Sequence, residues 1–413
     1  MPSVRRGLIS CLLLTGCHFS SAAAVDTDAT DGSSGTETSA GATTTADATS
    51  TTSGSGPDST GGSDTSMTGA STCASDWANP NWHYRSVLTL ENESMDAIVG
   101  APIPVFLEPV RFYYEGATAD GHDLRFVAND EELPWEIEQW QPGGSSVVWI
   151  RAPDLAPLAT VEITLYYGNE DAPPSDVNTP LYSDGLVGVW RFDDPAGAVV
   201  TNAAGNLYEG TAAGMTMQIP EGRVGSARQF VDVSDSIDLA ADSTALLDGW
   251  GAFTISTWIR PEYASDGDWD VAQGWFLNKG GSMQDGRTFR SLGSAPNTGQ
   301  VQVDFFFANG GTSFQPLDVP RGQWSHLTWT FDGTILSLYR NGQPVSSTQV
   351  GPTTLNASAN PVRFGQPGSS FLGALDELRI ESVARSATWI ALQYAAMADQ
   401  LLAFGETETC GTG

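Results

Sequence analysis

Two glutamates, Glu136 and Glu138, are two residues apart and would share one face of a strand. Glycoside hydrolysis needs two carboxylates about 5–9 Å apart that flank one bond. An exposed polar strand face has the same spacing, and that interpretation is favoured here. There is no Gly-x-Ser-x-Gly motif with plausible partners, and we expect His326 to be packed or exposed on a strand face. We therefore expect no catalytic site.

A Gly- and Asp-rich stretch over 266–270, with the sequence DGDWD, has three carboxylates at alternate positions. Carboxylate oxygens suit Ca²⁺, and the spacing is similar to that of an EF-hand loop. Val271 and Leu277 stand where such a loop needs Gly and Glu. An ordinary solvated loop is therefore the favoured interpretation.

Three aromatic side chains in or beside this stretch, Tyr263, Trp269 and Trp275, are candidates for carbohydrate binding. Aromatic faces stack on sugar rings, while carboxylates and amides take the hydroxyls. Loops at one rim of a β-sandwich are frequent binding sites. The alternative is that Tyr263 and Trp275 pack beneath the loop as part of the core.

The chain opens with two arginines and a short apolar run, 8–14, that ends in Leu-Thr-Gly-Cys at Cys17. The run is too short to span a bilayer, and the tetrapeptide resembles a bacterial lipobox. The resemblance implies that residues 1–17 are a signal peptide and that Cys17 carries a lipid. An ordinary secretory peptide is the alternative. His18 occupies the position of the usual inner-membrane retention Asp, so we expect a lipid-anchored envelope protein at the outer membrane or cell surface.

The charge is strongly negative: 49 acidic against 18 basic residues give a net charge of −31. Such a surface repels phosphate backbones and anionic headgroups, which excludes nucleic acid and leaves membrane contact to the lipid anchor. Residues 18–75 consist largely of Ser, Thr, Gly, Ala and Asp. They have too little apolar surface to offset the cost of ordering, so we predict a disordered tether.

Two cysteines outside the signal peptide, Cys73 and Cys410, bracket everything that has the composition of a folded domain. An oxidising compartment favours one disulfide between them. The alternative is a pair of free or intermolecular thiols.

Between these cysteines the sequence is typical of an all-β protein. Thr160–Tyr167 and Phe253–Pro261 alternate between apolar and polar residues, and Asp-Gly and Asn-Gly pairs indicate hairpin turns. We predict two antiparallel β-sandwiches in tandem, with one short helix after Ser386 near the carboxyl end. The predicted boundaries are 76–172 for the first domain, 173–181 for a linker, 182–406 for the second domain and 407–413 for a tail.

Residues 182–406 resemble the laminin-G-like, concanavalin A-like lectin/glucanase jelly roll. The matching pieces are LVGVWRFD (186–193), GSARQF (225–230), FTISTWIRP (253–261), QWSHL (323–327), FDG (331–333), LYRNG (338–342) and FLGALDELRI (371–380). The resemblance implies a jelly-roll fold and a structural Ca²⁺ held by Asp193 and Asp376. The Glu-x-Asp-x-Glu motif of the glucanases is missing.

Residues 77–169 resemble a bacterial domain of unknown function that commonly precedes laminin-G-like domains. The pieces are WHYR (82–85), DLRF (123–126), LPW (133–135), VWI (148–150) and YYGN (166–169). Together the resemblances favour a non-catalytic surface protein that binds a polysaccharide, a surface glycan or a protein. A structural envelope protein and a carbohydrate-active enzyme are the alternatives.

Overall fold

The computed structural model describes Cys73, Trp77 and residues 79–410, apart from 183–184, 196, 198, 263–273, 281–286, 294–297 and 315–316. These residues belong to one compact unit, Met67–Gly413. The predicted signal peptide with Cys17 and almost all of the tether lie outside the described residues. So do Tyr263, Trp269 and the 266–270 stretch. No helix in the described part is long and apolar enough to cross a membrane.

The first sandwich is formed by short antiparallel strands: β1 (Tyr84–Glu91), β2 (Pro102–Leu107), β3 (Arg125–Ala128), β4 (Glu131–Glu132), β5 (Trp135–Gln139), β6 (Ser146–Arg151) and β7 (Thr160–Tyr167). A 3₁₀ turn, Tyr114–Gly116, follows β2. The order β1-β7-β3-β4 makes one sheet and β2-β6-β5 the other. Alternate residues such as Leu88, Ile163 and Leu165 are buried between them, as the period of two requires.

The second sandwich is larger. Its strands are β8 (Leu186–Trp190), β9 (Val199–Val200), β10 (Gly210–Ala213), β11 (Met217–Ile219), β12 (Ala227–Phe230), β13 (Ser236–Leu239), β14 (Phe253–Pro261), β15 (Gly274–Lys279), β16 (Arg287–Gly293), β17 (Thr298–Phe307), β18 (Gly310–Ser313), β19 (Leu317–Pro320), β20 (Ser325–Phe331), β21 (Ile335–Arg340), β22 (Gln343–Gln349), β23 (Val362–Gly365) and β24 (Gly373–Glu381), with a 3₁₀ turn at Ala241–Ala245. Every pairing between these strands is antiparallel, which confirms the predicted fold class.

The two sheets of the second sandwich have different surroundings. One runs β11-β12-β24-β14-β20-β21-β22, with β8 beside β24. Its Trp258 packs with Phe106 and Trp149 of the first sandwich, so this sheet faces the neighbouring domain. The other runs β18-β17-β16-β15-β23-β13-β10-β9, with β19 beside β17, on the opposite side of the core.

Helix α1 (Ala387–Met397) follows β24 and begins at the predicted cap, where the Ser386 side chain accepts from the backbone of Trp389 at 3.2 Å. Trp389 and Leu392 pack into the core of the first sandwich rather than the second. The helix therefore joins the two domains.

The chain then returns to the first sandwich. β25 (Leu402–Thr409) pairs along β1 as the edge strand of its sheet. The boundary predicted at 406, with a tail beyond it, therefore differs from the structure. β25 pairs with a strand that lies more than 300 positions earlier in the chain. No local sequence pattern predicts so distant a pairing.

The Cys73–Cys410 disulfide closes a loop of 337 residues across this junction. It confirms the predicted pairing and ties β25 to the segment that leads into β1.

Replacing both cysteines by serine is expected to lower the free energy of unfolding by about 2–4 kcal/mol, because the unfolded chain regains the freedom of an open loop. Urea unfolding of the variant and of the wild type, each with and without reductant, measures the effect. The two proteins should coincide once reductant is present. Equal stability under oxidising conditions would contradict the prediction.

Candidate functional site

A small polar cavity of about 310 Å³ lies on the second sandwich, beside the outer face of the sheet that contains β15 and β23. Trp275 forms one wall, and the polar side chains around it are Asn278, Asn360, Arg363, Gln366 and Ser369. Trp275 is half-buried, so part of its indole is accessible to a ligand. An aromatic wall with several amides is the usual composition of a site for a polar, ring-shaped small molecule.

The sheet brings three polar residues of this region into one row. Asn278 of β15 is paired with Arg363 of β23, and Arg363 with Asp238 of β13. The residues next to them along the strands, such as Leu277 and Phe364, are buried in the core. Because side chains alternate along a strand, Asn278, Arg363 and Asp238 lie on the outer face.

The backbone around Trp275 is held on both sides. Its N–H donates to the Ser369 carbonyl at 2.9 Å, and its carbonyl accepts from the N–H of Phe371 at 3.4 Å. The register between β15 and β16 shifts between Trp275 and Leu277, as it does at a β-bulge. A bulge re-aims the side chain beside it, which is a common feature of binding sites.

A chain of hydrogen bonds connects the polar row to the cavity. Arg363 Nε donates to Asp238, and Arg363 Nη1 lies 3.4 Å from Gln366 Oε1. Asn278 Nδ2 donates to the same Gln366 oxygen at 3.0 Å. Asn278 Oδ1 is buried and has no hydrogen-bond partner. Asn278, which lines the cavity, therefore has one acceptor that is unsatisfied and buried from solvent.

Of the three aromatic residues predicted to bind ligand, the structure describes only Trp275, which it places in this cavity. Sequence analysis missed Asn278, Arg363 and Gln366. Asn278 and Arg363 stand at outward positions of β15 and β23, and Gln366 directly follows β23. The pairing of those strands is not visible in the sequence.

Residues 232–391 match the concanavalin A-like lectin/glucanase superfamily. Residues 120–203, before it, match the domain of unknown function 2341. The two matches follow each other along the chain in the predicted order. The match to the lectin/glucanase superfamily includes Trp275, Asn278 and Arg363. No curated protein matches the chain.

Three solved structures are similar to about half of this chain. Domain 4 of AbnA, a GH43 extracellular arabinanase from Geobacillus stearothermophilus in complex with arabinotriose, is 20% identical with a TM-score of 0.37; the match covers 50% of this chain and 97% of that one. The binding domain of Paraclostridial Mosquitocidal Protein 1 is 16% identical, with a TM-score of 0.39 and 52% of each chain covered. The binding domain of Botulinum neurotoxin serotype D is 13% identical, with a TM-score of 0.40 and coverage of 51% and 50%. The chain thus spans about half of each toxin domain, and the likeness concerns the fold alone.

The two predicted calcium ligands have other contacts. Asp376 is fully buried, and its Oδ2 accepts from the backbone N–H groups of Arg223 at 2.6 Å and Val224 at 2.9 Å. Burial raises the pKa of Asp193 to about 6. Among the described residues, no three His, Cys, Asp or Glu side chains come together as a metal site would need. Calcium binding by Asp193 and Asp376 stays a prediction.

A second polar cluster lies between the two sandwiches. The Glu138 side chain is fully buried, 3.7 Å from Arg191 Nε, and accepts from the indole N–H of Trp149. Arg191 also pairs with the more exposed Glu136. Burial, followed by the charge of Glu377, raises the pKa of Glu138 to about 8. The interpretation of the two glutamates as an exposed strand face was therefore wrong for Glu138, which the second sandwich covers, whereas the Glu136 side chain is 41% exposed.

Arg379 connects the same interface. Its Nε and Nη2 donate to Glu377 Oε2 at 3.0 and 2.7 Å, and its guanidinium lies 4.8 Å from the ring centre of Trp149. Nη1 donates to Gln393 Oε1 at 2.6 Å, and the Gln393 amide donates to the Pro102 carbonyl of the first sandwich at 3.0 Å. The network therefore fixes the two domains to each other through α1.

His326 is packed, one of the two outcomes expected for it. Its ring centre lies 5.1 Å from that of Trp258, and neither ring nitrogen has a hydrogen-bond partner. Burial, followed by the positive charge of Arg379, lowers the pKa of His326 to about 3. The imidazole is thus a neutral part of the interface at physiological pH.

Proposed function

We propose that this protein is a lipid-anchored, non-catalytic binding protein of the bacterial cell surface that recognises carbohydrate through the Trp275 cavity. The observation that carries the proposal is the pairing of a half-buried indole with the Asn278, Arg363 and Gln366 side chains in one cavity. The match of residues 232–391 to a superfamily of lectins and glucanases supports the proposal.

The chemistry of the cavity suits a sugar ring. A pyranose or furanose has an apolar C–H face that packs on an indole, and hydroxyls at its edge that exchange hydrogen bonds with amides. The sheet that bears the cavity lies opposite the sheet that faces the first sandwich. The first domain therefore does not obstruct it.

The anchor and the tether supply the location. Lipid on Cys17 would fix the chain to a membrane, and a flexible 18–75 segment would hold the folded unit some 40 Å away on average. A cavity carried at that distance can reach glycans beyond the membrane surface.

Trp275→Ala is expected to weaken glycan binding about 10- to 100-fold, because the indole supplies most of the apolar contact and full burial of a large side chain is worth about 1.5–3 kcal/mol. A panel of polysaccharides and oligosaccharides, with calcium and with chelator, identifies the glycan and tests the calcium prediction. Titration calorimetry then compares the affinities of the wild type and the variants for that glycan.

Tyr113→Ala is the matched control, since Tyr113 is 44% exposed on the first sandwich. Unchanged binding by Trp275→Ala would contradict the proposed site. Turnover of any polysaccharide would contradict the non-catalytic assignment.

A structural role through the first sandwich is the second candidate. It is supported by a cavity of about 1000 Å³ beside the edge strand β25, lined in part by Arg111, Tyr113 and Phe404. Self-association in sedimentation without glycan, lost in Tyr113→Ala, would favour this role over glycan recognition.

A further inference from the structure

We infer that the free edge of β25 is a docking site for an extended segment of a separate protein, which adds to the sheet as a further strand. One large apolar side chain of that segment enters the cavity beside the edge, and a lysine or arginine lies next to it. The site is on the first sandwich and is independent of the Trp275 cavity.

β25 is hydrogen-bonded along one side. It stands at the end of the order β25-β1-β7-β3-β4, and among the described residues it pairs with β1 alone. None of its eight residues is buried. An edge strand presents N–H and C=O groups without a partner, and a second chain can pair with them.

The direction of the backbone groups of β25 follows from one hydrogen bond. The N–H of Cys410 donates to the carbonyl of His83 at 2.7 Å, so these two residues are a hydrogen-bonded pair of the antiparallel ladder. Such pairs alternate with pairs that are not hydrogen-bonded, and the register has no shift from Thr409 to Thr407. The N–H and C=O groups of Thr407 and Thr409 therefore point away from β1, toward the free edge.

A cavity of about 1000 Å³ lies beside this edge. Phe404 and Thr407 line it, whereas no residue of β1, all of which the structure describes, does so. Both side chains are on the core face of β25, since Phe404 packs against the core of the first sandwich and Thr407 Oγ1 accepts from the Tyr167 hydroxyl at 3.3 Å. A strand added to β25 directs alternate side chains to this face, where the cavity receives one of them.

The wall opposite β25 is the segment that follows β2, and it is fixed to β25. Arg111 Nη2 donates to Asp399 Oδ2 at 2.8 Å, and the guanidinium lies 4.5 Å from the ring centre of Phe404. The wall also exposes apolar surface, because Val110 is 88% and Tyr113 is 44% exposed. A groove with these walls suits a large apolar side chain.

The charges of the groove determine the neighbour of that apolar side chain. Glu115 and Glu406 are exposed in the lining. Arg111, the basic residue of the lining, is already paired with Asp399. A lysine or arginine of the partner therefore meets an opposite charge, and the net charge of −31 on the chain attracts it over a longer range.

Two segments of this chain could compete for the edge, but neither has the required composition. A second copy of β25 has the sequence LAFGETET, with two glutamates and no basic residue. Residues 18–75 contain seven acidic residues, no lysine or arginine and, after Phe19, no aromatic residue. Repulsion between like charges disfavours both. The edge therefore fits a different protein.

The test uses the purified full chain and a display library of random peptides about eight residues long, which matches the length of β25. The selected peptides are expected to contain a large apolar residue with a lysine or arginine nearby. Fluorescence anisotropy measures their affinity. Hydrogen exchange followed by mass spectrometry locates them, because a bound strand slows exchange in the fragments that contain Thr407 and Thr409.

Methylation of alternate backbone nitrogens of a selected peptide is expected to weaken its binding about 10-fold or more, because it removes the donors that pair with β25. Replacing its basic residue by glutamate should weaken binding about 10-fold in low salt.

Two variants of the protein test the edge and the cavity. Thr409→Pro removes an N–H that points to the free edge and keeps the pairing with β1, so peptide affinity is expected to fall about 10-fold. Tyr113→Ala removes part of the cavity wall and should have a similar effect. Leu158→Ala is the matched control, because Leu158 is 63% exposed on the same sandwich and does not line the cavity. Circular dichroism confirms folding, and the methylated peptide still tests strand pairing if Thr409→Pro does not fold.

Four results would overturn the inference. If no selected peptide slows exchange at Thr407 and Thr409, the edge is not a docking site. If the methylated peptide binds as tightly as its parent, the peptide does not pair as a strand. If the glutamate peptide binds equally well, the charge of the partner is wrong. If the chain alone protects this edge as its concentration rises, the occupant is a second copy. Glycan binding, which Trp275→Ala tests, is unaffected by any of these results.

Discussion

Arg379→Ala is expected to lower the free energy of unfolding by about 3–5 kcal/mol, because it leaves the carboxylate of Glu377 buried without its partner. Arg379 is 3% exposed and Glu377 is fully buried, so water cannot replace the lost hydrogen bonds. The substitution also frees Gln393 on α1 and removes the cation above Trp149 of the first sandwich.

Urea unfolding followed by tryptophan fluorescence measures the effect. Arg340→Ala is the matched control, because this arginine donates to the Asp318 carbonyl at an exposed position and should contribute about 0–1 kcal/mol. An Arg379→Ala protein as stable as the Arg340→Ala protein would show that the interface network adds nothing to stability.

The strands were predictable where each one separates a core from an outer face. Thr160–Tyr167 and Phe253–Pro261 are the observed strands residue for residue. In each strand, alternate side chains such as Ile163 and Ile255 enter the core of one sandwich. The other face of Phe253–Pro261 is buried as well, because it packs toward the first sandwich. The Ser386 cap was predictable for a similar reason, since capping is decided within one turn of helix.

The arrangement of the domains was not predictable, because it depends on contacts between residues far apart in the chain. Thr409 pairs with Tyr84, and Trp389, which follows the last strand of the second sandwich, packs in the core of the first. Glu138 shows the consequence: its position on a strand predicts an outward side chain, but outward there means into the other sandwich. A local sequence pattern predicts which side chains share a face of a strand. It does not predict which part of the protein packs on that face.

The candidate site was predictable in the same partial way. An aromatic residue beside a Gly- and Asp-rich stretch drew attention to Trp275, whereas Asn278 and Arg363 become neighbours only through the register of β15 and β23. The polar groups of a sheet-face site are distributed over several strands. Only the strand order, which the sequence does not display, brings them together.

The free energy of unfolding is expected to fall as the pH rises from about 5 to 8, because of the buried carboxyl of Glu138. Its pKa is raised from an ordinary 4.5 to about 8, so the folded chain holds a proton that the unfolded chain releases. Stability from this group is complete below pH 4.5 and is lost as the pH rises through 8. The loss is at most about 5 kcal/mol, with a slope of up to about 1.4 kcal/mol per pH unit. Asp193, whose pKa burial raises to about 6, contributes in the same direction at lower pH.

Glu138→Gln separates this effect from the other titrations of an acidic chain. The amide cannot ionise and fits nearly the same space, so the variant should have a shallower slope than the wild type and exceed it in stability at pH 8. Part of the slope should remain, because burial also raises the pKa of Asp376 and Glu381. Glu136→Gln is the matched control, because its carboxylate is 41% exposed and faces the same Arg191. Urea unfolding at pH 5, 6, 7 and 8 compares the three proteins. A Glu138→Gln slope equal to that of the wild type would show that Glu138 is ionised in the folded protein. In that case Arg191 holds it as an ordinary buried ion pair.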